Sequence, residues 1–106
     1  MIVHHAPARV AFAAEKMKKT NLVETPNLFC DVYGLEPGQQ QAAHRHAVGD
    51  KLYYVLMGTG TIRVGTEERE VRPGDLVCAP AGEDHAVRNT GGGRMALLVT
   101  MAPLPA

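Results

Sequence analysis

Punctuation by glycine and proline constrains this chain more than any other feature. Turn-forming clusters recur at short intervals: EPGQ at 36–39, MGTG at 57–60, VGTEE at 64–68, RPGD at 72–75, PAGED at 80–84 and NTGGGR at 89–94. Between them lie short runs rich in Val, Leu, Tyr and Thr. Short β-prone runs bounded by such turns make an antiparallel barrel or sandwich. The expected strands are 28–35, 40–46, 52–57, 60–64, 69–71, 75–79, 85–89 and 95–101. One stretch reads as helix: FAAEKMKK, 12–19, is made of good helix formers without Gly or Pro, although it is short enough to be marginal in isolation.

Strand alternation puts Lys51, Tyr53, Val55 and Met57 on one face and Leu52, Tyr54 and Leu56 on the other. Both faces are largely apolar, so something should cover the second. A second copy of the chain would do so, giving a homodimer; residues 1–25 of the same chain would serve equally.

At 106 residues and 11.4 kDa, the length suits one domain, and any activity must sit within it. Lys plus Arg and Asp plus Glu are matched at 11 each, which points to a small ligand and away from nucleic acid or an anionic membrane. The N-terminus has no basic stretch leading into an apolar one, and no run approaches transmembrane length, so the expected location is cytoplasmic. Cys30 and Cys78, without a CxxC spacing, are expected to be reduced residues in strands.

Three of the five histidines carry the chemistry. His44 and His46, two apart on one strand, point to the same face, and His85 follows a Pro-Gly turn much later. Two imidazoles from one strand and one from another can build a facial metal site with open positions.

The wider spacing is more specific. Gly38, His44, His46, Lys51 and Gly58, separated by five, one, four and six residues, resemble the first motif of the cupin superfamily, except that its charged position is normally glutamate. Gly74, Pro80, Gly82, His85 and Asn89 resemble the second motif at every fixed position. The resemblance implies an all-β fold, a double-stranded β-helix or jelly-roll barrel. It also implies a single domain over 1–106, with 1–25 as an N-terminal segment and 26–101 as the barrel core. It carries His44, His46 and His85 over as metal ligands for a divalent transition metal, whether Fe, Zn, Ni, Mn or Cu. The fourth ligand would stand at position 51, where this chain has lysine.

An ammonium and a metal ion repel: at ~4 Å and an effective dielectric of ~20, each unit pair costs about 4 kcal/mol, and a dication doubles it. Lys51 is therefore displaced along the barrel wall, deprotonated, or set against a site that has lost its metal. With metal bound, three neutral imidazoles and Lys51 make an electropositive pocket, suited to a small anionic or enolisable ligand. Tyr53 could donate a hydrogen bond to that ligand, or be a core tyrosine whose hydroxyl reaches the rim. Asp50 is one residue out of register and should point away, as a solvated end of its loop. Gln39, Gln40 and Gln41 read as solvent-facing, though one could reach the pocket mouth. Asn89 is expected to bond backbone near the metal strand, and His4 and His5 to belong to a loose terminus. Three functions are open: a metal-dependent enzyme, which the cupin resemblance implies would be dioxygenase-like or isomerase-like; a non-catalytic ligand binder; and a metal-free scaffold in which Lys51 pairs with an internal carboxylate.

Overall fold

Strand β4, Asp50–Met57, shows how the sequence pattern becomes a layer. Lys51, Tyr53 and Val55 are buried, whereas Leu52 and Tyr54 between them are exposed. In the computed structural model, which describes residues 1–45 and 47–104, this strand lies next to the edge of one of two packed antiparallel sheets. The first sheet also contains β1 (Lys18–Glu24), β2 (Phe29–Leu35), β7 (Leu76–Ala79) and β9 (Met95–Ala102), in the order β1-β2-β9-β4-β7. The second contains β3 (Gln40–His44), β5 (Gly60–Val64), β6 (Glu67–Val71) and β8 (His85–Arg88), in the order β3-β8-β5-β6. All pairings are antiparallel, and the inner faces meet in one core built around Tyr33, Leu35, Val55, Ile62, Leu97 and Val99. This is the antiparallel all-β architecture that the turn spacing predicts, in the jelly-roll form that the cupin resemblance implies.

The helix expected over 12–19 is not formed. The one described helix is the single turn α1, Ala6–Arg9, and Lys18–Glu24 pairs with β2 as an edge strand. Tertiary contacts outweigh a marginal local propensity here. Gly34 has no side chain, and a Cβ at that position would collide with the carbonyl of Ala11, so the N-terminal segment lies directly on β2. The Ala13 carbonyl accepts from Gln39 Nε2 at 2.7 Å, and the Arg94 guanidinium stacks 4.4 Å from the centre of the Phe12 ring.

That segment accounts for part of the doubly apolar sheet. Val32, on the outer face by alternation with Tyr33, and Ala96, paired with Gly34, are almost fully buried. Farther across the same sheet Leu52, Tyr54 and Leu76 stay 38%, 40% and 63% exposed. The chain covers the outer face near β2 and leaves it open over β4 and β7. Cys30 and Cys78 are free thiols. No described helix is long and apolar enough to cross a membrane.

Candidate functional site

The buried polar residues among those described are Gln41, Lys51, His85 and Asn89. Burying such groups is costly unless each finds partners, so their placement marks where the interior is specialised. Asn89 is structural, as expected. Its Nδ2 donates to the carbonyls of Leu35 at 2.9 Å and Gly93 at 2.8 Å, and its own backbone pairs with Gly38 and Gln39 at the entry to β3.

The other three gather at one end of the barrel. His44 at the end of β3 and His85 at the start of β8 are cross-strand partners, their ring centroids 4.3 Å apart and planes inclined at 62°. His44 Nδ1 lies 3.0 Å from the Ala42 carbonyl and His85 Nδ1 lies 3.2 Å from the Glu83 carbonyl. A carbonyl only accepts, so both Nδ1 atoms carry a hydrogen, and in the neutral ring that leaves the lone pair on Nε2, the arrangement a metal-binding imidazole needs. The donor set thus fits a divalent metal as far as these two rings go. His46, the third predicted ligand, lies outside the described residues. Arg45, which precedes it in sequence, pairs through Nε with Asp84 Oδ1 at 3.4 Å, linking the loop after β3 to the approach to β8. Among the described residues no group of three or more His, Cys, Asp or Glu side chains converges. His4 is occupied elsewhere, 2.8 Å from Arg9 Nη1.

Lys51 and Tyr53 face inward from β4, 2% and 0% exposed. Tyr53 packs edge-on to His85, their ring centroids 6.1 Å apart. Its hydroxyl donates to Gln41 Oε1 at 3.0 Å, Lys51 Nζ reaches the same oxygen at a long 3.4 Å, and Gln41 Nε2 donates to the Tyr33 hydroxyl at 3.2 Å. The lysine amine also lies 5.2 Å from the Tyr53 ring centre and 5.5 Å from that of Tyr33, within the range of cation–π attraction. Lys19 of β1 lies 5.3 Å from the same Tyr33 ring. Burial, reinforced by Lys19 and opposed by Asp31, lowers the Lys51 pKa from its ordinary 10.5 to about 8. Burial raises Tyr33 to about 12 and pushes Tyr53 higher still.

Tyr33 and Lys19 were not expected here, and Gln41, read as solvent-facing like its neighbours though one of the three could reach the pocket mouth, is the glutamine that turns inward. The reason for Gln41 is a bulge. Gln41 pairs with Val87 and His44 with His85, so three steps along β3 match two along β8. In a regular strand, positions 41 and 44 face opposite sides; the extra residue lets both point inward. Nothing in QQQAAH announces it. Asp50 does point away, and it accepts from the Ala81 backbone N–H at 3.0 Å, clamping the turn before β8.

An open groove of about 770 Å³ runs between β6 and β7, the free edges of the two sheets. Val77, the partner of Tyr53 across β4 and β7, and Val64, the partner of His85, line it, with Glu70 and Glu83 also on its walls. It approaches the site from the side without including Lys51 or Tyr53.

Comparison with known proteins gives a consistent set of likenesses. A family model described as a cupin domain matches residues 31–101. The crystal structure of TT1209 from Thermus thermophilus is 39% identical, with a TM-score of 0.96, covering 99% of this chain and 100% of that one. A 5-nitrosalicylic acid 1,2-dioxygenase from Bradyrhizobium is 39% identical over 63% of this chain and 32% of its own length. An oxalate-binding protein from Thermotoga maritima is 32% identical over 54% of this chain and 47% of its own. The chain therefore spans about a third to a half of these two curated relatives.

Proposed function

Because the chain belongs to the cupin family, we propose that it binds a small carboxylate-bearing metabolite inside the barrel. His44, His46 and His85 would hold a divalent transition metal, and Lys51 and Tyr53 would grip the ligand's acid group. The observation that carries this reading is the buried ammonium of Lys51. Among the described residues its one hydrogen bond is the long one to a neutral amide, and no carboxylate lies within ion-pair distance. A metal-free scaffold in which this lysine is satisfied by an internal acid would need such a carboxylate. A charged amine so placed gains far more from a carboxylate than from a carboxamide. The relatives named for nitrosalicylate and oxalate act on or bind acids, which supports the same ligand class.

The metal, when bound, would supply Lewis acidity and the capacity to activate oxygen. Lys51 and Tyr53 would orient the acid, and the apolar inner faces of β4, β5 and β9 would exclude water around it. The β6–β7 groove is the proposed entry. An oxidative reaction is the form of catalysis proposed; plain binding of the same ligand is the alternative.

Elemental analysis of untagged protein tests the metal. About one equivalent should be present, and His85→Ala should lose it. Protein that is correctly folded and metal-free after growth in metal-replete medium would overturn that part. Oxygen consumption with salicylates and small keto acids then separates enzyme from binder. The working unit is proposed to be a homodimer that buries the open face of β4 and β7.

A further inference from the structure

Gln41 holds a position unlike that of any other residue in the interior. Its carboxamide oxygen sits where two donors converge, the Lys51 amine and the Tyr53 hydroxyl, and its nitrogen is turned to the Tyr33 hydroxyl. That oxygen is a poor match for the pair. Charge-assisted N–H···O bonds close to about 2.7–2.9 Å, whereas the amine stands 3.4 Å away from this neutral acceptor. The side chain reaches the site from β3, an edge strand with β8 as its one partner, and from the residue immediately before the bulge. Bulged edge segments are where a strand can re-aim a side chain at least cost.

We propose that the Gln41 carboxamide is an internal stand-in for the ligand's carboxylate, occupying the Lys51–Tyr53 donor pair until an incoming acid displaces it. This deepens the function proposed above and rests on it. One carboxylate oxygen takes the place of Oε1 between the amine and the phenol, and the displaced amide moves outward from the bulge toward the exposed side of β3. The ligands selected are small monoanionic carboxylates. Their neutral amides offer no advantage over the side chain already present and are excluded.

Salicylate and salicylamide are the probes, titrated calorimetrically into the full chain. Gln41→Glu leaves a permanent acid on the donor pair and should weaken salicylate roughly tenfold or more. Gln41→Ala removes the stand-in and should tighten salicylate several-fold and let salicylamide, undetectable in the parent, bind measurably. A Gln41 that merely props up the core would weaken salicylate in both variants, and that result overturns the proposal provided thermal melting shows both variants folded. Should Gln41→Ala fail to fold, a crystal of the unaltered protein soaked in salicylate decides: a carboxylate oxygen between Lys51 and Tyr53 with the amide displaced supports the idea, and an unmoved amide sinks it. Lys51→Met tests the underlying reading separately. If it binds salicylate as the parent does, the anion site itself is wrong, whatever the Gln41 variants do.

Discussion

At the scale of single residues the interior is governed by one amine and the groups around it. Lys51 is held at about 8 by burial and Lys19, against Asp31. Between pH 8 and 10.5 the unfolded chain retains a proton that the folded chain has released, so this group's contribution to stability rises with pH across that window. Its destabilising effect is complete below pH 8, and the full span is about 3 kcal/mol. Tyr33, raised to about 12, acts in the opposite sense above pH 10, because the unfolded phenol ionises first; Tyr53, also raised, adds to it. Urea unfolding should therefore show stability increasing from about pH 8 to about pH 10 and then declining. Lys51→Met should be more stable than the parent at pH 7, by about 2 kcal/mol, and should lack the rise. A parent protein whose stability is flat between pH 8 and 10 would show that the amine is not penalised by burial. The lysine, the tyrosine beside it and the two described histidines could all be picked out of the sequence, because period-two alternation alone puts Lys51 and Tyr53 on one face. Tyr33 and Lys19 could not, since they arrive from strands distant in sequence, and no local pattern carries that proximity.

At the scale of elements, strands β2 to β9 follow closely the runs that the turns delimit. The two elements misread lie in the first 25 residues, where β1 replaces an expected helix and the real helix is a single turn. Both misreadings have one cause: the conformation of residues 11–24 is set by what β2 offers, a bare Gly34 to lie on and an open edge to pair with. Gly34→Ala tests this. The new methyl would meet the Ala11 carbonyl, and the backbone must shift, at a cost of about 1–3 kcal/mol in urea unfolding. Limited proteolysis should then find the segment before β1 released while the two sheets persist. A variant as stable as the parent, with the segment still protected, would mean that the close approach matters little.

For the whole molecule the outstanding question is the uncovered side of the five-stranded sheet. Leu52, Tyr54 and Leu76 lie on a face that the N-terminal segment does not reach, and a stable interface needs roughly 800 Å² from each partner. If this face joins two copies, light scattering should give about twice the chain mass at micromolar concentration, and the Tyr54→Asp, Leu76→Asp double variant should give a folded monomer. A parent that is monomeric at that concentration removes the dimer. Loss of the dimer should leave salicylate binding unchanged, because the Lys51 and Tyr53 side chains point the other way. The sequence showed that this strand was apolar on both sides; it could not show how far the chain's own terminus would extend across it.

The extra residue in β3 makes chain length itself a control on chemistry. Removing Ala42 or Ala43 would change no ligand, charge or core side chain; it would leave the amide and the first imidazole two residues apart, so that simple alternation points both inward from a regular strand. A deletion of one codon would therefore keep both groups in place while removing the slack by which the amide steps aside, leaving a barrel of nearly the same composition that captures the metal but admits the acid less readily.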